Sequence, residues 1–162
     1  MGFLRSFVYA GRGIWFCIRH ERNFRIHMSA AIYVLLFAPY FSLTRGEWAA
    51  LLAIIGLVTA AEAVNTAVEQ TVNLAAPRRR MRARVAKDVA AGAVLLCAGA
   101  AVAVGFILFA RWDVWTCILS DFRTNWWKPV LLLLSLPLAL WFIISGGRRQ
   151  NAIPPRRSKY PK

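Results

Sequence analysis

Four polar side chains in the stretch EAVNTAVEQTVN, residues 62–73, lie three, four and four residues apart: Glu62, Asn65, Glu69 and Asn73. On an α-helix that spacing gathers all four on one narrow face. Carboxylates in such a row can take a proton or hold a hard cation. Two further acids, Glu21 and Asp88, and the base Lys87 beside Asp88 are the candidates to join them. Oxygen ligands for Mg2+, cations for phosphate and one carboxylate to accept a proton are together what a magnesium-nucleotide site requires. The chain has no GxxxxGK[ST] loop, so a nucleotide site here would be built from helix side chains and not on a P-loop. Cys17, Cys97 and Cys117 are scattered without metal-ligand spacing and read as small apolar residues.

The elements that would position these groups follow from composition. Of 162 residues 59% are hydrophobic, too apolar for a soluble domain, and the fold class is an all-α integral membrane protein. Apolar runs over residues 28–44, 48–61, 89–110 and 129–145, each near the ~20 residues that cross ~30 Å of hydrocarbon, predict spans over 28–44, 48–75, 86–110 and 129–145. The second must continue past Ala61 despite its polar residues. Ahead of them, within residues 3–25, Arg5, Arg12 and Arg19 recur every seven positions while Phe3, Phe7, Ile14 and Ile18 take another side. This predicts an amphipathic helix lying in the membrane interface, bent or interrupted at Gly11 and Gly13. No cleavable signal peptide is expected, because arginines and aromatics interleave where an apolar core should stand.

The net charge of +14 is unevenly placed. Of the 21 basic residues, 17 fall before the first predicted span, between the second and third, or after the fourth. By the positive-inside rule both termini and the middle loop are cytoplasmic. The basic blocks then serve topology and contact with anionic lipids, and nucleic acid is not an expected partner. Counting ~1.5 Å per residue inward from Trp48 puts Glu62 roughly 20 Å deep and Glu69 roughly 30 Å deep, at the inner boundary. A carboxylate at the depth of Glu62 costs a few kcal/mol, which makes it a functional candidate with a polar neighbour.

The stretches HERNFRIH (20–27), EAVNTAVE (62–69) and AKDVAAGAV (86–94) resemble the three signature stretches of the prokaryotic diacylglycerol kinase family. ERNFRIH and KDVAAGAV look more like its undecaprenol kinase branch, found in Gram-positive bacteria, than its diacylglycerol kinase branch. The likeness covers residues 3–110. It implies a homotrimeric enzyme of the bacterial plasma membrane, with an interfacial helix and three spans per subunit and sites between subunits at the cytoplasmic surface. It also implies roles. Glu62 matches the general base that takes the proton of a lipid hydroxyl, and Glu21 and Glu69 match the ligands of the Mg2+ that bridges the ATP phosphates. Asn65 matches an asparagine of the site, Lys87 and Asp88 a nucleotide-contacting pair, and Tyr9 an aromatic beside the nucleotide. Asn73 stands where the family usually has Asp, which removes a negative charge one turn beyond Glu69. The loop PRRRMRARVAKD has no acid upstream of Asp88, so contacts made there elsewhere in the family do not transfer.

The implied activity is ATP- and Mg2+-dependent phosphorylation of a membrane lipid alcohol, undecaprenol first and diacylglycerol as the alternative. From another class, a small proton-coupled transporter could also use an intramembrane Glu, but it has no need of Glu21, Glu69, Lys87 and Asp88 at one surface. A non-catalytic scaffold leaves the acidic stripe unexplained. Residues 1–110 thus form the expected kinase core. Residues 111–162 are expected to give an outside loop with an aromatic belt of Trp112, Trp115, Trp126 and Trp127, a fourth span kinked at Pro137, and a basic, disordered cytoplasmic tail. That part contributes no acid to span or tail. The fourth helix is therefore expected to pack outside the core, and a chain ending near Asp113 to keep its activity.

Overall fold

The computed structural model describes residues 3–75 and 81–145, as six α-helices and one 3-10 turn. Arg78, Arg79, Arg80 and the tail 146–162 lie outside the described residues.

Helix α1 (Phe3–His20) runs unbroken through Gly11 and Gly13, against the expected interruption. No neighbouring atom approaches either glycine, so nothing draws the backbone out of its ladder and only the ~1 kcal/mol propensity cost of each glycine acts. The interfacial helix expected over 3–25 ends five residues early. Glu21 is extended (φ −103°, ψ 115°) and caps the start of α2 (Arg22–Phe37), so the chain turns there. The last carbonyls of α1 lack helical partners, and the Arg25 guanidinium donates to two of them, those of Ile18 and Arg19.

A 3-10 turn at Ala38–Phe41 and a left-handed Ser42 (φ 46°) reverse the chain. Helix α3 (Arg45–Ala75) then starts on a capping box. The Glu47 carboxylate accepts from Thr44 N and Oγ1, both at 2.7 Å, while Glu47 N donates to Thr44 Oγ1 at 3.3 Å. At 31 residues α3 is roughly 46 Å long against ~30 Å of hydrocarbon, so it must project beyond the apolar layer. Helix α4 (Met81–Phe109) packs along α3 and begins five residues before the expected 86. Its first turn, MRAR, consists of good helix formers that a hydropathy reading passes over.

The expected outside loop is in fact a helix, α5 (Trp112–Thr124). Val114 and Ile118, one turn apart, bury against the bundle, and the Trp115 indole donates to Phe109 O at 2.8 Å. Helix α6 (Trp127–Ser145) returns through Pro137 and packs on α2, with no residue of its own buried. Asp121 ties the α5–α6 corner, accepting from Lys128 and Asn125 at 2.7 Å and from Tyr40 at 3.0 Å. Midway along α6, Ser135 Oγ meets Tyr33 Oη at 2.9 Å. Helices α3, α4 and α6, and α2 with its 3-10 turn, are long and apolar enough to cross a membrane.

The apolar core gathers at the end of the bundle away from α1: Ala38, Phe41, Leu43, Leu51, Leu108, Val114 and Ile118. Phe41 is wholly buried and meets Phe109 edge-on at 4.8 Å and Trp115 at 5.4 Å. Phe41→Ala is expected to cost about 3 kcal/mol or more. Thermal unfolding in detergent checks this, as a lowered midpoint accompanied by loss of the near-ultraviolet signal of Trp115.

Candidate active site

The buried face of α3 is Leu51, Val58, Glu62 and Thr66. Apolar side chains hold its first turns, and the same face then turns polar. Glu62 is 2% exposed. Its carboxyl is hydrogen-bonded by Asn23, which the Glu21 turn brings to the start of α2. Thr66, one turn on, has no conventional partner for its buried Oγ1. The Cys17 thiol of α1 lies near Thr66 without satisfying that oxygen. Burial first, then Glu21, push that thiol above its ordinary value, and Glu62 adds to the effect. A thiol so placed stays protonated and is no nucleophile at neutral pH. The charges of Glu21 and Glu62 thus both reach the Cys17 thiol, and Glu69 is close enough for its charge to act on Glu62.

Towards the end of α3 the face opens. Asn65 and Glu69 are half-buried and Asn73 is exposed. Lys87, from α4, lies between the last two, its Nζ 3.2 Å from Glu69 Oε1 and 2.8 Å from Asn73 Oδ1. The asparagine that departs from the family pattern therefore serves as a neutral acceptor for this ammonium. Asp88 does not join the pair. It lies ~100° further round α4 and faces Arg84 at 3.7 Å, with both side chains largely exposed. Tyr9 is likewise exposed, with the Arg12 guanidinium 5.8 Å from its ring centre.

The structure so brings together Glu62, Glu69 and Lys87, puts Glu21 within electrostatic reach of the Cys17 thiol that Glu62 also influences, and leaves Tyr9 and Asp88 exposed. It adds Asn23, Thr66 and Cys17. The first two lie inside the sequence stretches already singled out, but nothing in their spacing separates a residue that faces Glu62 from one that faces lipid. Among the described residues no group of three or more His, Cys, Asp or Glu could hold a metal alone. Two carboxylates suit a cation that takes its remaining ligands from phosphate and water, the usual manner of Mg2+.

The profile of prokaryotic diacylglycerol kinases matches residues 8–109. The chain belongs to the prokaryotic diacylglycerol kinase family. It is similar to an undecaprenol kinase of Bacillus subtilis, 42% identical over 107 residues that cover 66% of this chain and 87% of that one. A diacylglycerol kinase of Synechocystis is also 42% identical, over 103 residues, 63% of this chain and 59% of that one. No solved structure gives a significant match. The protein is a lipid kinase and a multi-pass membrane protein, and its family match ends with α4, so α5 and α6 lie beyond it.

In this kinase the Lys87–Glu69 pair is about one-third and two-fifths exposed on its two sides, a setting in which an ion pair is worth less than ~1 kcal/mol. Lys87→Met should accordingly leave the thermal midpoint almost unchanged while lowering kcat/KM for ATP at least about tenfold. Steady-state kinetics beside thermal unfolding separate the two effects.

Proposed function

We propose that this kinase transfers the γ-phosphate of ATP to undecaprenol, forming undecaprenyl phosphate. The observation that carries the reading is the placing of two carboxylates on one helix: Glu62 enclosed at membrane depth, and Glu69 two turns on, paired to Lys87 where the face opens. A lipid alcohol arrives sideways through hydrocarbon at the depth of the first, which it reaches once the cover over Glu62 opens. A nucleotide arrives from water and can reach the second. Glu62 takes the hydroxyl proton as the lipid oxygen bonds to the γ-phosphorus, the bond from that phosphorus to the β–γ bridging oxygen breaks, and ADP leaves. Asn23 holds the Glu62 carboxyl, Asn65 lines the same face, and Lys87 offsets phosphate charge. Glu21 and Glu69 would hold Mg2+, which when bound supplies positive charge to the phosphate oxygens. By the family resemblance Asp88 and Tyr9 lie beside the nucleotide and the enzyme is a homotrimer. The asymmetry of basic residues supports a cytoplasmic site and cytoplasmic termini.

Undecaprenol is preferred to diacylglycerol because the similarity to the Bacillus undecaprenol kinase spans most of that protein, and the similarity to the Synechocystis diacylglycerol kinase only part of it. The test is purified protein with labelled ATP and Mg2+, offered each lipid in turn. Label should enter undecaprenol, cease with a chelator and resume with added Mg2+. Label in diacylglycerol alone replaces the acceptor, and label in neither overturns the reading. Glu21→Gln and Glu69→Gln should each raise the half-saturating Mg2+ concentration on the order of tenfold, about 1.4 kcal/mol of binding. Unchanged metal dependence in both removes them from the metal site.

A further inference from the structure

Arg25 is 7% exposed, a fixed charge inside the helix packing. A guanidinium so enclosed is tolerated only when its donors are used. Its Nε donates to Ile18 O and its Nη2 to Arg19 O at 3.2 Å, both in the last turn of α1. Its Nη1 donates to Phe142 O and, at 3.0 Å, to Ser145 Oγ, both in the last turn of α6. The Phe142 ring lies 4.6 Å from the guanidinium carbon. Helix C-termini present carbonyls without helical partners and a partial negative charge. One cation here reaches the last turn of α1 and the last described turn of α6, and so joins α6 to the turn at Glu21.

We propose that the fourth membrane helix sets the geometry of the kinase site through Arg25, a positioning residue that clamps the end of α6 to the α1–α2 corner. That corner carries Glu21, whose carbonyl accepts from Arg25 N at 3.3 Å, and Asn23, which holds Glu62. Without α6, Nη1 loses both acceptors. The guanidinium then turns towards water, and the corner that depends on its other donors relaxes. Lysine cannot replace it, since a single ammonium lacks the planar fork that reaches both helix ends. The Tyr33–Ser135 bond, two turns before Phe142, fixes the register in which α6 arrives. This revises the expectation that a chain ending near Asp113 keeps its activity: α6 brings no carboxylate, but it brings acceptors. The catalytic part of the proposal rests on the assignment of Glu21 to the metal site.

The test uses the full chain with one alanine inserted between Leu138 and Ala139. The insertion turns everything beyond it by ~100°, which takes Phe142 and Ser145 off Arg25 and leaves the Tyr33–Ser135 register in place. An alanine inserted after Ser145 is the control, and Arg25→Lys is the second variant. Amide hydrogen exchange of residues 18–25 without nucleotide should quicken at least about tenfold in both variants and not in the control. The half-saturating Mg2+ concentration should rise roughly three- to tenfold, with that for lipid unchanged. Wild-type exchange at the corner in variants of normal helix content overturns the clamp. Faster exchange with unchanged Mg2+ dependence overturns its catalytic part. Glu21→Gln, measured alongside, separates this from a failure of the metal assignment: if that variant also keeps normal Mg2+ dependence, the assignment has failed and exchange alone decides the clamp.

Discussion

A carboxyl group enclosed at membrane depth cannot rely on water, so each polar neighbour of Glu62 has to be delivered by the fold. Those neighbours come from separate elements. Thr66 and Glu69 come from α3 itself, Asn23 from the first turn of α2, and Cys17 from α1. They converge because the chain turns at the single extended residue Glu21. Had α1 continued into α2 as one helix, Asn23 and Cys17 would lie on a common axis and could not enclose the same face of α3. The turn is thus a condition of the site, and Arg25, four residues beyond it, donates to the carbonyls of Ile18 and Arg19 that end α1.

The remainder of the molecule follows from lipid being as apolar as the side chains that face it. Leu95, Leu96, Val102 and Phe106 of α4 are more than two-thirds exposed, which in water would be a liability and in hydrocarbon is a solvated surface. Burial of such residues therefore contributes little, and association depends on packing and on polar contacts between helices. Polar contacts that cross between membrane helices gain weight for that reason, among them Tyr33 to Ser135, Arg25 to Phe142 and Ser145, and Lys87 to Glu69. The aromatic cluster around Phe41 closes the other end, where the chain emerges from hydrocarbon and a conventional core can form.

The membrane class and the polar face of α3 were legible because each rests on a period or a length, and both survive in one sequence. A 3-4-4 spacing places four side chains on one helix face whatever else the helix does. What could not be read was where each face points. The split at Glu21 depends on one backbone conformation, and no glycine or proline announces it. Helix α5 is hidden from a sequence reading because two buried residues, Val114 and Ile118, are too short a pattern to stand out among tryptophans that suit an interface. Lys87 and Asp88 looked like a pair, being neighbours in sequence, yet ~100° of helical rotation separates them and only Lys87 meets the stripe. The contacts of α6 with Arg25 are illegible for a related reason. Its acceptors are a backbone carbonyl and a serine hydroxyl, and a search for charged side chains passes over both.

In the proposed reaction the enclosed carboxyl of Glu62 accepts the proton of the lipid alcohol. Single-turnover transfer by Glu62→Gln, with ATP binding measured on the same preparation, addresses it directly, because glutamine keeps the shape of the side chain and its bond to Asn23 while removing the base. Transfer is expected to fall about a hundredfold or more while ATP binding stays at the wild-type level. Transfer that stays within about tenfold of wild type would contradict it.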